Sequence, residues 1–431
     1  MDDKETDPLA DTNFVWGIST SSYQSEGSVE AEGRGPSIWD RFCTKPGSIA
    51  DGSSGAVACD SYRRWPEDIA LLKELGAKAY RFSIAWPRIQ PDGRGKANQA
   101  GLDWYRRLAD TLLEGGIQPW AALYHWDLPQ ALEDAGGWPV RATALRFADY
   151  ASICFGALGN TIKHWITMNE PWCSAFLGYA YGEHAPGRKC LPDAYASTHH
   201  LLLGHGLAVQ ACRKMVPDAR IGIVLNPAKP RPATARAEDA AASLRASVER
   251  TGLWLDPLYG RGYPEEHLST HAAIVPATPG DMESIATPTD FLGVNYYNEE
   301  AVRGIPAERN MPDGFESVPT WQPKTAMGWD IVPGGLERIL DFIGMSWPVP
   351  AFYITENGMA CEEPAEIAGM IHDRQRIDYH RDHIDAVRRS VARGIPIKGY
   401  FAWTLLDNFE WAFGYTRRFG MVAVDRATGR Q

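Results

Sequence analysis

Eight short β-prone runs recur along this 431-residue chain, amphipathic helical stretches separate several of them, and no low-complexity linker divides it. Together these observations predict an α/β fold, a (β/α)8 TIM barrel in a single domain. The length would suit two or three ordinary domains, but an eightfold barrel with long loops holds it as one. The expected domain is 1–431, with 1–12 as an acidic N-terminal tail.

The runs, in order, are Phe14–Ser19, Ala79–Ile84, Gln118–Tyr124, Lys163–Asn169, Ile221–Leu225, Asp290–Tyr296, Ala351–Glu356 and Lys398–Thr404. Each is short and rich in β-branched or aromatic residues, as strands are. Between them, Glu67–Leu75, Leu102–Glu114, Pro139–Ala157, Ala194–Met215 and Asp373–Arg393 read as amphipathic helices. Strand then helix, repeated about eight times, is the pattern of parallel βαβ units, and eight units close into a barrel. Chemistry in that fold sits on the loops after the strands' C-terminal ends. The connections after the first and sixth runs are long. They carry Gly47-Ser48 with Asp51-Gly52, and Pro306, Pro312-Asp313-Gly314 and Pro319. Such loops are expected to wall a pocket.

Composition narrows the partners. Apolar residues make up 44% and charged residues 23%, enough for a globular core. Net charge is −11, from 43 basic and 54 acidic residues, with no Lys/Arg-rich block. Neither nucleic acid nor a membrane is the expected partner. The start, Met1-Asp2-Asp3-Lys4-Glu5, lacks an apolar signal core. Seven cysteines without a CxxC pair point to a reduced, cytoplasmic protein. Several of the 16 tryptophans lie beside turn signals and polar residues rather than in apolar runs.

The strand ends are the informative places. Run four ends in Asn169-Glu170, and Pro171 keeps Glu170 out of helical geometry. Run seven ends in Glu356, followed by the turn pair Asn357-Gly358. Strands four and seven lie across a barrel mouth, so two carboxylates would face one substrate bond. That is the equipment for cleaving a glycosidic bond. A single glutamate at a strand end is more often solvated or salt-bridged; two in this setting read differently.

His125-Trp126-Asp127 follows run three, where His and Asp can bond hydroxyls and Trp can stack on a sugar face. The plainer reading is a turn with a capping Asp and a packed Trp. Trp403 lies in run eight, and Asp407-Asn408-Phe409-Glu410-Trp411 alternates aromatic and acid beyond it. Gln24 follows run one, and its amide offers donor and acceptor together. Arg81 in run two is either a buried ion-pair partner or the group that keeps a nearby nucleophilic carboxylate ionised.

Competing chemistries are weak. There is no P-loop, and Gly93-Arg94-Gly95 lacks both the third glycine and the preceding strand of a dinucleotide fingerprint. His199, His200 and His205 miss the HExxH spacing and read as interior histidines. Cys173 lies near Glu170 without the His and Asn of a thiol nucleophile. No metal and no cofactor are expected, since two carboxylates supply acid, base and nucleophile.

From Phe14 to about Asp425 the chain resembles family 1 glycoside hydrolases, the β-glucosidase family. The resemblance rests on Tyr23-Gln24-Ser25-Glu26-Gly27, Tyr80-Arg81-Phe82-Ser83, His125-Trp126-Asp127-Leu128-Pro129, Asn169-Glu170-Pro171, Asn295-Tyr296-Tyr297, Thr355-Glu356-Asn357-Gly358 and Asp407-Asn408-Phe409-Glu410-Trp411, in family order. It implies a retaining exo-β-glycosidase, foremost a β-glucosidase, acting through a covalent glycosyl-enzyme. Glu356 matches the nucleophile and Glu170 the acid/base, with carboxyls about 5–5.5 Å apart. Glu170 should then be protonated at rest and Glu356 ionised. Arg81, Asn295 and Tyr297 match supporting residues, Arg81 and Tyr297 at the nucleophile, and Asn169 the holder of the sugar 2-hydroxyl. Gln24, His125, Trp126, Glu410 and Trp411 match the sugar-binding shell, Trp403 its stacking floor, and Trp329 a leaving-group-side aromatic.

The pair Glu410-Trp411 implies an unphosphorylated sugar, and Glu170 argues against the thioglucosidase branch. The expected partners are small-molecule β-glycosides or cello-oligosaccharides, with homo-oligomerisation left open. Members of the family it resembles continue past Val424-Asp425 into a last C-terminal helix, and that helix is expected to be missing from a chain ending at Gln431. Two alternatives stand beside this reading: a transglycosylase using the same intermediate, and a non-catalytic sugar-binding protein.

Overall fold

The computed structural model describes residues 7–306, 314–362, 366–367 and 370–426. The first six residues of the acidic tail, the turn signal Pro312-Asp313 and the chain end at Gln431 lie outside the described residues.

The eight expected runs are eight parallel strands: β1 (Val15–Ser19), β2 (Ala79–Ser83), β3 (Gln118–Ala122), β4 (His164–Asn169), β5 (Arg220–Leu225), β6 (Phe291–Asn295), β7 (Phe352–Asn357) and β8 (Ile397–Trp403). They close into a barrel in sequence order, with β1 paired to both β2 and β8. A parallel pair needs a long crossover, and helices supply it. Ser61–Glu74, Gln99–Glu114, Arg141–Leu158, Leu191–Met215 and Arg374–Ala392 overlap the five expected helices.

The barrel interior is divided along its axis. Trp120, Ile166, Val224, Phe291, Tyr353 and Phe401 form a buried apolar cluster inside it. Burying each such side chain contributes about 1.5–3 kcal/mol. Gly17 is required here: a Cβ on it would meet the Phe401 ring at 2.2 Å. Polar residues come from the C-terminal ends of the strands. Arg81, Asn169, Asn295 and Glu356 are all buried there.

Some elements differ from expectation. The first helix begins at Ser61, not Glu67, and carries Pro66 inside it. Pro66 has no N–H for the Tyr62 carbonyl, which accepts instead from Trp104 Nε1 at 2.8 Å. Helices Ala237–Ser247 and Pro333–Ser346 were not expected. Nor was the small sheet of Arg231–Pro232, Ala301–Gly304 and Phe315–Val318, whose strands are too short to show a period. After β6 the long connection does wall a pocket, through Asn298, Glu300, Met327 and Trp329. After β1 it backs the site from behind: Tyr23 and Trp39 pack against Trp411.

None of the seven cysteines is in a disulfide. No described helix is long and apolar enough to cross a membrane.

Candidate active site

Both glutamates stand where strand pairing is irregular. The β4–β5 register shifts between Ile166 and Asn169, and the β6–β7 register shifts between Ile354 and Glu356. Such irregularities re-aim side chains at barrel rims. At Glu170 the backbone turns to φ 44°, and its N–H donates to Val224 O at 2.9 Å. The positive φ is a strained conformation, held by that hydrogen bond and by the turn that follows.

The two carboxylates have different partners. Arg81 Nη1 donates to Glu356 Oε1 at 2.5 Å, and Tyr297 OH donates to Oε2 at 2.7 Å. Glu170 accepts from Asn295 Nδ2 on Oε1 at 2.7 Å and from Cys173 Sγ on Oε2 at 3.2 Å. Burial and then the Glu356 charge push the Glu170 carboxyl up to about 7; Asn295, Cys173 and Arg81 pull the other way.

Asn169 links the groups. Its Oδ1 accepts from Arg81 Nη2 at 2.5 Å and from Asn295 Nδ2 at 3.0 Å, and its Nδ2 donates to His125 Nε2 at 3.0 Å. Two donors on Oδ1 fix the amide orientation. They also make His125 Nε2 an acceptor, so Nδ1 carries the hydrogen. His125 Nδ1 is buried without a partner, and the residue lines the cavity. Burial, then Arg81, holds this imidazole well below its ordinary range, so it is neutral. A neutral, unpartnered donor on a residue of the cavity wall suits a hydroxyl oxygen.

Further bonds tie the strand ends together. Thr355 Oγ1 donates to Asn295 Oδ1 at 2.7 Å, Ser19 Oγ to Thr355 O at 2.8 Å, and Thr404 Oγ1 to Ser19 O at 2.8 Å.

A cavity of about 340 Å³ opens over the strand ends. Of the residues singled out in the sequence, Glu170, Glu356, His125, Trp126, Asn295, Tyr297, Trp329, Trp403, Glu410 and Trp411 line it. Arg81 and Asn169 sit behind that wall through the bonds above. Gln24 also sits behind it: its Nε2 donates to Glu410 Oε2 at 3.2 Å and to Asn408 Oδ1 at 3.1 Å, and its Oε1 accepts from Ser21. Burial, then the Glu356 charge, pushes Glu410 up to about 8. Trp126 both lines the cavity and buttresses it, donating from Nε1 to Asn169 O at 2.9 Å. Asp127 neither caps the helix that follows, whose N-cap is Pro129, nor lines the cavity: it is fully buried and accepts from Ser22 Oγ at 2.7 Å.

The histidines of the Leu191–Met215 helix are interior. His199 meets Asp281 and Tyr263, His200 meets Trp138 O, and His205 meets Thr167. Sequence reading missed Asn226, which donates to Cys173 Sγ at 3.4 Å, and Arg250, whose guanidinium lies 3.8 Å from the Trp172 ring. The signal for Asn226 was its place just after the fifth run, where the fourth run ends in Asn169.

An eight-stranded parallel barrel with two inequivalent buried glutamates, a neutral histidine and a tryptophan-lined cavity at its C-terminal end defines the class: a glycoside hydrolase. The chain belongs to glycosyl hydrolase family 1, whose family pattern matches residues 8–431. It is 47% identical to a 1,4-β-D-glucan glucohydrolase of Thermotoga neapolitana, over 97% of this chain and 98% of that protein. It is 46% identical to β-glucosidase A of Thermotoga maritima, over 97% of this chain and 94% of that protein. The solved family 1 β-glucosidase of Thermotoga maritima superposes with a TM-score of 0.94 at 46% identity, covering 97% of this chain and 94% of that one. The β-glucosidase solved in complex with deoxynojirimycin superposes equally well, at 0.94 and 45% identity over the same shares.

Proposed function

We propose that this chain is a retaining exo-β-glucosidase, with Glu356 as nucleophile and Glu170 as general acid/base. The observation that carries the assignment is the inequality of the two carboxylates. Glu356 receives a guanidinium and a phenol hydrogen, the setting for a carboxylate that attacks. Among the described residues Glu170 receives only an amide and a thiol, and burial favours its neutral form.

In the first half-reaction Glu356 attacks the anomeric carbon while Glu170 gives its proton to the departing oxygen. The bond to the leaving group breaks with its electron pair on that oxygen. The glycosyl ester at Glu356 removes one negative charge from the site. The pressure on Glu170 falls, and it now takes a proton from water, which attacks the same carbon and releases Glu356. Two inversions give net retention.

His125, Glu410 and the rings of Trp403 and Trp411 take the non-reducing sugar, and the Asn169 Nδ2 hydrogen not given to His125 is left for its 2-hydroxyl. Gln24 acts through Glu410, which it holds. Trp329 faces the leaving group. The relatives named above as β-glucosidases and a glucan glucohydrolase support glucosides and cello-oligosaccharides as substrates. Neither transglycosylation nor sugar binding without turnover gains support from the site or the relatives. Seven cysteines outside any disulfide favour a reducing, cytoplasmic setting.

The test is hydrolysis of para-nitrophenyl β-glucoside followed by NMR of the first-formed sugar. β-Glucose appearing first is expected; α-glucose first, or no turnover, would overturn the assignment.

A further inference from the structure

The carboxylate of Glu170 has two side-chain donors of different kinds. Asn295 Nδ2 lies 2.7 Å from Oε1 and 3.0 Å from Asn169 Oδ1, which engages both of its hydrogens. An amide nitrogen cannot turn round and accept, so Oε1 is a poor seat for a proton. Oε2 faces Cys173 Sγ at 3.2 Å. A thiol is a weak donor and a weak acceptor, so it can partner either protonation state.

The thiol is held in place from two sides. The Cys173 N–H donates to Glu170 O at 2.9 Å, a single turn that folds the side chain back over the carboxylate. Asn226 Nδ2 donates to Sγ at 3.4 Å, which leaves the S–H hydrogen for Oε2. Cys173 is buried and lines the cavity beside Glu170.

We propose that Cys173, fixed by Asn226, is a positioning residue for Glu170: it leaves Oε2 as the oxygen that carries and releases the proton, and donates its S–H to that oxygen once the proton has gone. The inference rests on the acid/base role given to Glu170 above. The cysteine's own hydrogen stays on sulfur throughout. In the first half-reaction the proton passes from Oε2 to the leaving oxygen; in the second it returns to Oε2 from water.

The charged and titratable surroundings are Glu356 from β7, Glu410 beyond β8, Tyr297 after β6, Arg81 from β2, His125 after β3, and Arg250, which acts on the thiol. Burial and then the Glu170 charge hold the Cys173 thiol well above its ordinary range, so it serves as a neutral S–H. The S–H bond opposes the upward push on Glu170.

The test compares kcat/KM against pH for the wild type, Cys173→Val, Cys173→Ser and Asn226→Ala, with para-nitrophenyl β-glucoside. Cys173→Val removes the donor, so the alkaline limb should move up by about half a unit to one unit. Cys173→Ser restores a donor and should return the limb toward the wild-type position. Asn226→Ala keeps the thiol and should give a smaller shift of the same sign, an independent arm should a Cys173 variant fail to fold. With a dinitrophenyl glucoside, kcat should fall in Cys173→Val and recover in Cys173→Ser, because the second half-reaction needs the carboxylate. An unmoved limb in Cys173→Val and Asn226→Ala overturns the proposal, and so does Cys173→Ser moving as far as Cys173→Val. Glu170→Gln separates the two levels: if it keeps the wild-type alkaline limb, the role of Glu170 itself is wrong.

Discussion

One guanidinium serves both halves of the site: Arg81 donates to Glu356 at 2.5 Å and, from its other terminal nitrogen, to Asn169 at 2.5 Å. Asn169 ends β4 and directly precedes Glu170, so a residue of β2 bridges the two strand ends that carry the carboxylates. Arg81 and Glu356 are both buried. Removing one partner of such a pair leaves an uncompensated charge, at about 3–5 kcal/mol. The pair that the proposed mechanism uses is therefore also a structural one.

Glu356→Ala is expected to abolish turnover of β-glucosides. Azide or formate, small enough to fill the vacated space, should restore cleavage of activated aryl glucosides and give the inverted product. Near wild-type turnover without an added anion would place the nucleophile elsewhere.

The pH profile follows from Glu170. Its carboxyl stands at about 7, and the first half-reaction needs it protonated. Activity should hold below that value and fall as pH rises through it. Glu170→Gln should flatten this limb. The loss should reach about 10²–10⁴-fold for poor leaving groups and be smaller for dinitrophenyl glucosides, which need little protonic help. Rate profiles on two leaving groups check this.

In the proposed function Glu410 meets the far end of the sugar. It lies half-buried against Gln24 and under the influence of the Glu356 charge. A 6-phosphate brought there meets acidic groups and no described partner cation in the cavity wall nearer than Arg250, which lies against Trp172. Para-nitrophenyl β-glucoside should be cleaved faster than its 6-phosphate, and Glu410→Ser should narrow the gap. The reverse preference in the wild type would sink the role given to Glu410.

Away from the site, Asp281 accepts from Arg141 through both oxygens, at 2.5 and 2.6 Å, and also meets His199 and Thr278. Burial opposes its ionisation, but hydrogen bonds from Arg141, Thr278 and His199 outweigh it and hold the carboxyl well below its usual range. A depressed folded value means that this stabilisation is complete above the unfolded carboxylate range and is lost as pH falls. Asp281→Asn should cost about 1–3 kcal/mol near neutral pH. Melting temperatures measured down to pH 3 should show the gap between variant and wild type closing.

The eight strands were legible because each run is short, β-prone and bounded, and each predicted end falls within two residues of the observed one. Phe14–Ser19, for instance, became Val15–Ser19. The helix Ala237–Ser247 was not legible: it is rich in Ala and Ser, and alanine gives little hydrophobic contrast between faces. Nor was the wide helical turn Cys173–Tyr181, which is apolar on nearly every face and so shows no period. In the site, the residues on strand ends were readable because the barrel fixes where strand ends go. The inward turn of Gln24, which meets Glu410 rather than the cavity, was not. It depends on Asn408 and Glu410, some 385 positions away, and no local pattern carries that.

The hydrogen bonds that run from Thr404 through Ser19, Thr355 and Asn295 to Asn169, and on to Arg81 and His125, join these strand ends into one series of contacts. No link in that series lies within a single segment of the chain. A partly assembled barrel therefore has no half-formed version of the site to offer. In denaturant, catalysis and secondary structure should disappear at the same midpoint, and during refolding activity should return only with the last strand to join.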